Sequence, residues 1–156
     1  MRLPLTGLIL QKRHRSRVGT AILPLGSIRK ALVLIDSAEE GYSLAEKEVR
    51  DFFEGLGIET LIVCPTKKDL DIVGRVRRKI IAPGGAPFAE DLFISLYPLN
   101  RFETRYEAIC SPARFKIGRD YIKGDIFNIV VRNPEGSNPS QSEAFGTIRD
   151  LLEKIR

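Results

Sequence analysis

The side chains that most often carry out catalysis are scarce in this chain of 156 residues. Its single histidine, His14, stands between Arg13 and Arg15, so no Ser-His-Asp triad or Cys-His pair can form in the rest of the chain. One histidine and two cysteines, Cys64 and Cys110, also make no metal-ligand set. The phosphate-binding patterns Gly-x-Gly-x-x-Gly and Gly-Lys-Ser/Thr are absent. We therefore predict no catalytic residue, no metal site and no cofactor, and we favour a protein that is not an enzyme.

Polar side chains nevertheless follow several predicted strands. In open parallel sheets, ligands collect beyond the carboxyl ends of the strands, near the point where the strand order reverses. The candidate ligand-binding residues at these positions are Asp36, Ser37, Ser95, Tyr97, Asn100, Arg101, Lys116 and Arg119. The alternative is that Asp36 and Ser37 only cap a turn and that the arginines are solvated.

Positive charge is concentrated at the start of the chain. The net charge is +5, and residues 1–30 contain seven Lys and Arg residues and no acid. We predict a basic N-terminal arm whose anion-binding residues are Lys12, Arg13, Arg15 and Arg17. Its partner could be a nucleic acid, a membrane surface or an acidic protein, and the alternative is a solvated extension. A second cluster (Arg75, Arg77, Arg78 and Lys79) would strengthen anion binding if it shared the face of the arm.

The pattern of apolar residues predicts the elements that must position these side chains. Continuous apolar or β-branched runs predict strands at 31–36, 58–64, 91–97, 113–117 and 126–131. Apolar residues at helical spacing predict helices after Ser43, over 102–110 and at the end of the chain. The pattern Ser43-Leu44-Ala45-Glu46 resembles a capping box, and Gly57 is placed to end the first helix in a left-handed conformation.

Strands that alternate with helices predict an α/β fold. We expect a three-layer Rossmann-like sandwich with a mainly parallel sheet of about five strands. The expected organisation is the arm (1–30) followed by a single α/β domain (31–156). Residues 67–90 are ambiguous between helix, strand and lid, and a short strand at 79–82 is one of the alternatives.

The N-terminal sequence also bears on location. The apolar stretch Leu3 to Leu10 is interrupted by Pro4 and Gly7 and lies before the basic cluster, so it is a poor signal peptide. It is far shorter than the ~20 residues that span a bilayer. With only two cysteines, which we expect to be buried and reduced, these features predict a cytoplasmic protein.

One stretch of the chain resembles a known family. It runs from Ile94-Ser95-Leu96 through Arg105-Tyr106 to Phe115-Lys116-Ile117-Gly118-Arg119, and it is similar to an uncharacterised domain-of-unknown-function family of small α/β proteins found in Bacteroidetes. The basic N-terminal segment, Leu34-Ile35-Asp36 and the segment from Lys67 to Gly74 fit the same resemblance. The resemblance implies the fold and carries no assigned activity.

A second resemblance concerns glycosyltransferases. Asp91-Leu92-Phe93-Ile94 and the run from Ala113 to Gly118 are similar to the N-terminal half of heptosyltransferase-type enzymes, which also need a second, nucleotide-binding domain. The open functions are thus a non-catalytic binding or interaction domain, a binder of a nucleotide, nucleotide sugar or sugar phosphate, a glycosyltransferase-like fragment, and nucleic-acid binding through the arm.

Overall fold

The computed structural model describes residues 21–71, 75–98, 102–119, 126–131 and 139–155. The strands are β1 (Lys30–Leu34), β2 (Glu59–Val63), β3 (Leu92–Ser95), β4 (Phe115–Gly118) and β5 (Ile129–Val130). The helices are α1 (Tyr42–Gly55), α2 (Arg78–Ile81), α3 (Phe102–Cys110) and α4 (Gln141–Lys154). Short 3-10 turns lie at Leu25–Ser27, Lys67–Asp69 and Pro83–Gly85.

The five strands form one sheet in the order β2-β1-β3-β4-β5, and every neighbouring pair is parallel. This is the doubly wound order in which the direction of winding reverses between β1 and β3. Helices cover both faces of the sheet, which confirms the predicted three-layer Rossmann-like α/β fold. The carboxyl ends of β1 and β3 therefore flank the reversal point.

The two faces of the sheet bury different residues because side chains alternate along each strand. On one face, Val33 and Ile94 pack with Phe53 of α1 and Phe145 of α4 in an apolar cluster. On the other face, Leu34 and Phe93 pack with Ala108 and Ile109 of α3. Strands buried on both sides explain the continuous apolar runs by which the sequence marks them.

The ends of α1 show which local signals operate. The helix begins at Tyr42, after Gly41 in the left-handed region (φ 80°), and it has no side-chain cap. The predicted capping box at Ser43 is therefore wrong, because Ser43 already lies inside the helix. The predicted end is confirmed: Gly57 has φ 71°, its N–H donates to Glu54, and the N–H of Ile58 donates to Phe53, which is a Schellman motif.

The segment after β2 folds against the sheet without joining it. Leu70 and Val76 form an isolated antiparallel bridge, and residues 78–81 form helix α2. The alternative of a strand at 79–82 is therefore wrong; a short apolar run fits one helical turn as well as a strand. Ile80 and Ile81 pack from α2 against the cluster on the α3 side of the sheet.

Residues before β1 contribute to the core. Leu25 and Ile28 are 5% and 3% exposed and belong to the cluster on the α1 and α4 side. The backbone N–H of Ala21 donates to Arg114, and that of Leu25 donates to Ile155. The predicted boundary after residue 30 stays a prediction, but these core residues precede it. Among the helices of the described ranges, none is long and apolar enough to cross a membrane.

Gly118, at the end of β4, allows an aromatic ring to lie directly against the backbone. A Cβ atom at this position would stand 2.2 Å from Cε2 of Phe127, which is far inside van der Waals contact. Gly146, within α4, meets only the flexible end of Arg149 at 3.8 Å. The two glycines therefore differ in what a methyl group would encounter.

We expect Gly118→Ala to lower the free energy of unfolding by about 1–3 kcal/mol, because the ring of Phe127 must move out of its packed position. Gly146→Ala is the matched control, and it should raise the free energy of unfolding by about 0.5–1 kcal/mol through helix propensity. Urea unfolding followed by circular dichroism measures both values. Equal effects of the same sign would contradict this account of Gly118.

Candidate functional site

A crevice of about 240 Å³ opens at the carboxyl ends of the strands, beside the reversal point. Its walls come from the segments that follow β1 and β2 and from Tyr97, which follows β3. The residues that line it are Asp36, Ser37, Ala38, Pro65, Thr66, Lys67, Leu70 and Tyr97. We call it the strand-end crevice.

The position of Asp36 is set by a side chain far away in the sequence. Gln141, at the first position of α4, accepts the backbone N–H of Asp36 at its Oε1 (2.8 Å) and donates from Nε2 to the carbonyl of Asp36 (2.9 Å). Gln141 is 2% exposed, so both hydrogen bonds are sheltered from water. The amide thus replaces the strand partner that the backbone of Asp36 would otherwise lack.

The segment after β1 is also closed on itself and tied to the neighbouring loop. Oδ1 of Asp36 accepts the backbone N–H of Ala38 (3.0 Å), which makes an Asx turn. The hydroxyl of Ser37 donates to the carbonyl of Pro65 (3.5 Å), which follows β2. Two walls of the crevice are therefore linked by a hydrogen bond.

The wall after β2 is held by a one-turn capping box. Oδ2 of Asp69 accepts the backbone N–H (2.8 Å) and the hydroxyl (3.1 Å) of Thr66. These hydrogen bonds lower the pKa of Asp69, and the positive charges of Lys79 and Arg77 add to the effect. The turn at Lys67–Asp69 presents Lys67 at the crevice.

Exposed basic side chains surround this wall. Arg77 donates from Nε to the carbonyl of Lys68 (3.0 Å), and Lys79 is close enough to interact with Asp69. Together with Lys67 they form a positive rim on the α2 side of the crevice. The second basic cluster of the sequence is thus divided, because Arg75 and Arg78 line a different cavity.

The structure brings together three of the eight predicted ligand-binding residues. Asp36, Ser37 and Tyr97 line the strand-end crevice. Ser95, the last residue of β3, does not line the crevice; it is 1% exposed, and its Oγ has no hydrogen-bond partner within the described part of the chain. Asn100 and Arg101 fall outside the described residues, as do the arm residues Lys12, Arg13, Arg15 and Arg17.

Arg119 follows β4 and acts as a tie between loops. Its Nη1 donates to Glu39 (3.3 Å) and to the carbonyl of Leu96 (3.2 Å), and its Nη2 donates to the carbonyl of Pro139. Its side chain is 1% exposed, so its charge is buried, and its partner Glu39 is partly exposed. Arg119 does not line the strand-end crevice, but it joins the segments that follow β1 and β3 to the start of α4.

Lys116 lies on the α3 side of the sheet and also does not line the crevice. It is fully buried, and its Nζ donates to the carbonyl of Ala108 in α3 (2.5 Å). Burial lowers the pKa of Lys116 to about 8, against the opposing effect of Cys110 and Glu90. Its ammonium group belongs to the interior beside Glu90.

Sequence reasoning missed several residues of the site. Thr66, Lys67 and Leu70 follow β2 as Asp36 follows β1, so the argument from strand ends could have found them. Gln141 carries no such signal, because its partner is 105 positions away and a polar residue at the start of a helix looks like a surface residue.

Comparison of the chain with protein-family models, curated proteins and solved structures gives no significant match. The resemblance to the Bacteroidetes family therefore stays a prediction. Within the ranges that the structure describes, no group of three His, Cys, Asp or Glu residues could hold a metal ion.

Gln141→Ala should lower the free energy of unfolding by about 2–4 kcal/mol, because it leaves a buried N–H and a buried carbonyl of Asp36 unsatisfied. The control is Ser140→Ala, which removes the N-cap hydrogen bond of α4 to Glu143 and should cost only about 1 kcal/mol. Amide hydrogen exchange separates the two variants, since only Gln141→Ala should expose the amide of Asp36. If the amide of Asp36 stays protected from exchange in Gln141→Ala, Gln141 is not the group that satisfies it.

Lys116 should give the stability of the protein a specific dependence on pH. Its pKa is about 8 in the fold and about 10.4 in an unfolded chain, so between these values the unfolded state binds more protons. This group therefore raises the free energy of unfolding as pH rises from 8 to 10, by about 2 kcal/mol. The effect is measured as the difference in free energy of unfolding between the wild type and Lys116→Met over this pH range. A difference that does not change with pH would contradict the prediction.

Proposed function

We propose that this protein is a non-catalytic binding domain whose strand-end crevice takes a small phosphorylated molecule with several hydroxyl groups, of the sugar-phosphate class. The observation that carries the proposal is that Asp36 and Lys67, an acid and a base, line one crevice at the reversal point of the sheet. The carboxylate of Asp36 would accept hydrogen bonds from the hydroxyl groups of such a ligand, and the ammonium group of Lys67 would pair with its phosphate.

The chemistry of the walls supports this ligand class. A carboxylate accepts hydrogen bonds from sugar hydroxyls, and Asp36 is only 8% exposed, so little water competes for it. Ser37 and Thr66 add hydroxyl groups, and Leu70 and Tyr97 offer an apolar surface for the C–H face of a sugar ring.

The charge at the rim favours an anion. Lys67, Lys68, Arg77 and Lys79 are exposed on the α2 side, and the carboxylate of Asp69, which lies among them, is engaged by Thr66. Lys67 is the basic residue of this rim that reaches the crevice itself. A phosphate held there is partly solvated, so binding should weaken as salt concentration rises.

The size of the crevice argues for a small ligand. Pockets for drug-sized molecules span about 300–1,000 Å³. The described walls enclose about 240 Å³, which suits a sugar phosphate better than a nucleotide sugar. The crevice therefore favours the smallest of the ligand classes open at the level of the sequence.

The hydrogen bonds inside the crevice support binding rather than turnover. Ser37 donates its hydroxyl proton to a backbone carbonyl, and Asp36 uses Oδ1 to hold its own turn. Neither group is arranged as a nucleophile with its base. The proposal includes a cytoplasmic location, with which the reduced, half-buried thiols of Cys64 and Cys110 are compatible.

Isothermal titration with glucose 6-phosphate, glucose and inorganic phosphate tests the proposal. We expect the sugar phosphate to bind more tightly than either part alone. Lys67→Gln should weaken its binding about five- to tenfold through the lost charge pair. Asp36→Asn, which keeps an oxygen for the N–H of Ala38, should remove most of the advantage of the sugar phosphate over inorganic phosphate.

The matched control is Lys47→Gln, an exposed lysine on α1 whose side chain is 76% exposed and pairs with Asp51. It should leave binding unchanged. Equal affinity for the sugar phosphate and for inorganic phosphate in the wild type would overturn the ligand class. Equal weakening by Lys67→Gln and Lys47→Gln would overturn the placement of the phosphate.

A further inference from the structure

A second cavity, of about 280 Å³, lies at the amino ends of the strands, opposite the strand-end crevice. Glu90, which lines it, comes just before β3, and Ser111 and Pro112 come just before β4. We call it the basal cavity. It is separate from the strand-end crevice, because the two share no lining residue.

One wall of the basal cavity holds an arginine in a fixed position. Nε of Arg75 donates to Oε1 of Glu107 (3.3 Å), which also accepts the backbone N–H of Val76 (2.9 Å). The guanidinium group lies over the ring of Tyr106, with 5.2 Å between Cζ and the ring centroid. Only Nε is engaged by the described residues, so the two Nη groups keep their donors for another acceptor.

Both carboxylates of the basal cavity are compensated by neighbouring groups. Glu107, 3% exposed, is paired with Arg75. Glu90, 7% exposed, accepts the hydroxyl proton of Ser111 at 2.8 Å and feels the charge of the buried Lys116. A third cation, Arg78, lines the cavity and has no ion-pair partner within the described ranges. The positive charges of Arg75, Arg78 and Lys116 thus outnumber the negative charges of Glu90 and Glu107 at this cavity.

The loop that carries Glu90 is held in a strained shape. Ala89 has φ 59°, in the left-handed region that residues other than glycine rarely occupy. The strain persists because both sides of the loop are tied. Nζ of Lys30 donates to the carbonyl of Phe88 (3.2 Å), and Oδ2 of Asp91 accepts the backbone N–H groups of Arg29 (2.8 Å) and Lys30 (3.1 Å). Such strain is characteristic of functional loops.

We propose that the basal cavity binds a small organic carboxylate with an apolar body. The carboxylate pairs with the guanidinium groups of Arg75 and Arg78, whose planar donors match its two oxygens. The apolar body packs on Leu32, Ile81 and Phe93, which also line the cavity. A doubly charged phosphate fits less well, because Glu90 and Glu107 oppose a second negative charge.

Cys110 provides a local reporter, because it lines the basal cavity and its thiol is reduced. The wild-type chain is treated with iodoacetamide, with or without 4-methylpentanoate at millimolar concentration, and alkylation of each cysteine is followed by peptide mass spectrometry. We expect 4-methylpentanoate to slow alkylation of Cys110 to a saturating limit. Cys64, on the segment after β2, is the internal control and should react at an unchanged rate.

The chemistry of the ligand and of the cavity is tested by matched pairs. The neutral 4-methylpentanamide tests the carboxylate, and acetate tests the apolar body; both should protect Cys110 much less. Arg78→Gln should raise the concentration needed for protection by about fivefold through the lost ion pair. Arg149→Gln, on α4, whose side chain is 41% exposed and does not line the cavity, should leave it unchanged.

The proposal is overturned if the amide protects Cys110 as well as the carboxylate, or if Arg78→Gln and Arg149→Gln behave alike. Should Cys110 fail to react at all, isothermal titration of the wild type with 4-methylpentanoate decides, and the absence of saturable binding overturns the proposal. Lys67→Gln should not affect protection. A failure at the strand-end crevice is therefore distinguishable from a failure at the basal cavity.

Discussion

The side-chain amide of Gln141 satisfies both backbone groups of Asp36, and the strand-end crevice depends on this contact. β1 lies in the middle of the sheet, yet its chain leaves the sheet at Asp36, where no strand remains to pair with it. A buried peptide group without a partner costs the fold about as much as a lost hydrogen bond, so the chain can leave the sheet at this point only if another group substitutes. By providing it, the first residue of α4 fixes the segment after β1, the Asx turn and the carboxylate of Asp36.

The sheet divides the molecule into two chemically different halves. On the α1 and α4 side, the cluster is apolar throughout, and the charged pair of Arg119 and Glu39 stands only at the strand ends. On the α2 and α3 side, the buried residues include Lys116, Glu90 and Glu107. The basal cavity is lined by residues of this second half, and the strand-end crevice shares Leu70 and Tyr97 with it. Buried charged side chains are stabilised by ion pairs and hydrogen bonds, and a cavity lined by such side chains can bind a polar ligand.

The sequence allows the central strands to be predicted because they are buried on both faces, so their apolar runs are unbroken. It also places Asp36, Ser37 and Tyr97 near one another, because residues that follow parallel strands meet at the carboxyl ends of the sheet. The same rule applied to β2 predicts Thr66, Lys67 and Leu70. It could not show that Lys116 faces inward, because alternation fixes which residues share a face but not which helix covers it. The hydrogen bonds of Gln141 to Asp36 and the helical turn at α2 depend on contacts between distant segments. The local pattern of apolar and polar residues does not contain such contacts.

The hydrogen bond from the N–H of Leu25 to the carbonyl of Ile155 joins the segment before β1 to the end of α4. Leu25 is buried and Ile155 packs on the same cluster, so this junction belongs to the body of the domain. A fold whose first and last elements meet in space can be rejoined there by a short linker and reopened in an exposed turn with little loss of contacts. The order of the five strands along the polypeptide is thus less constrained by the fold than their order across the sheet.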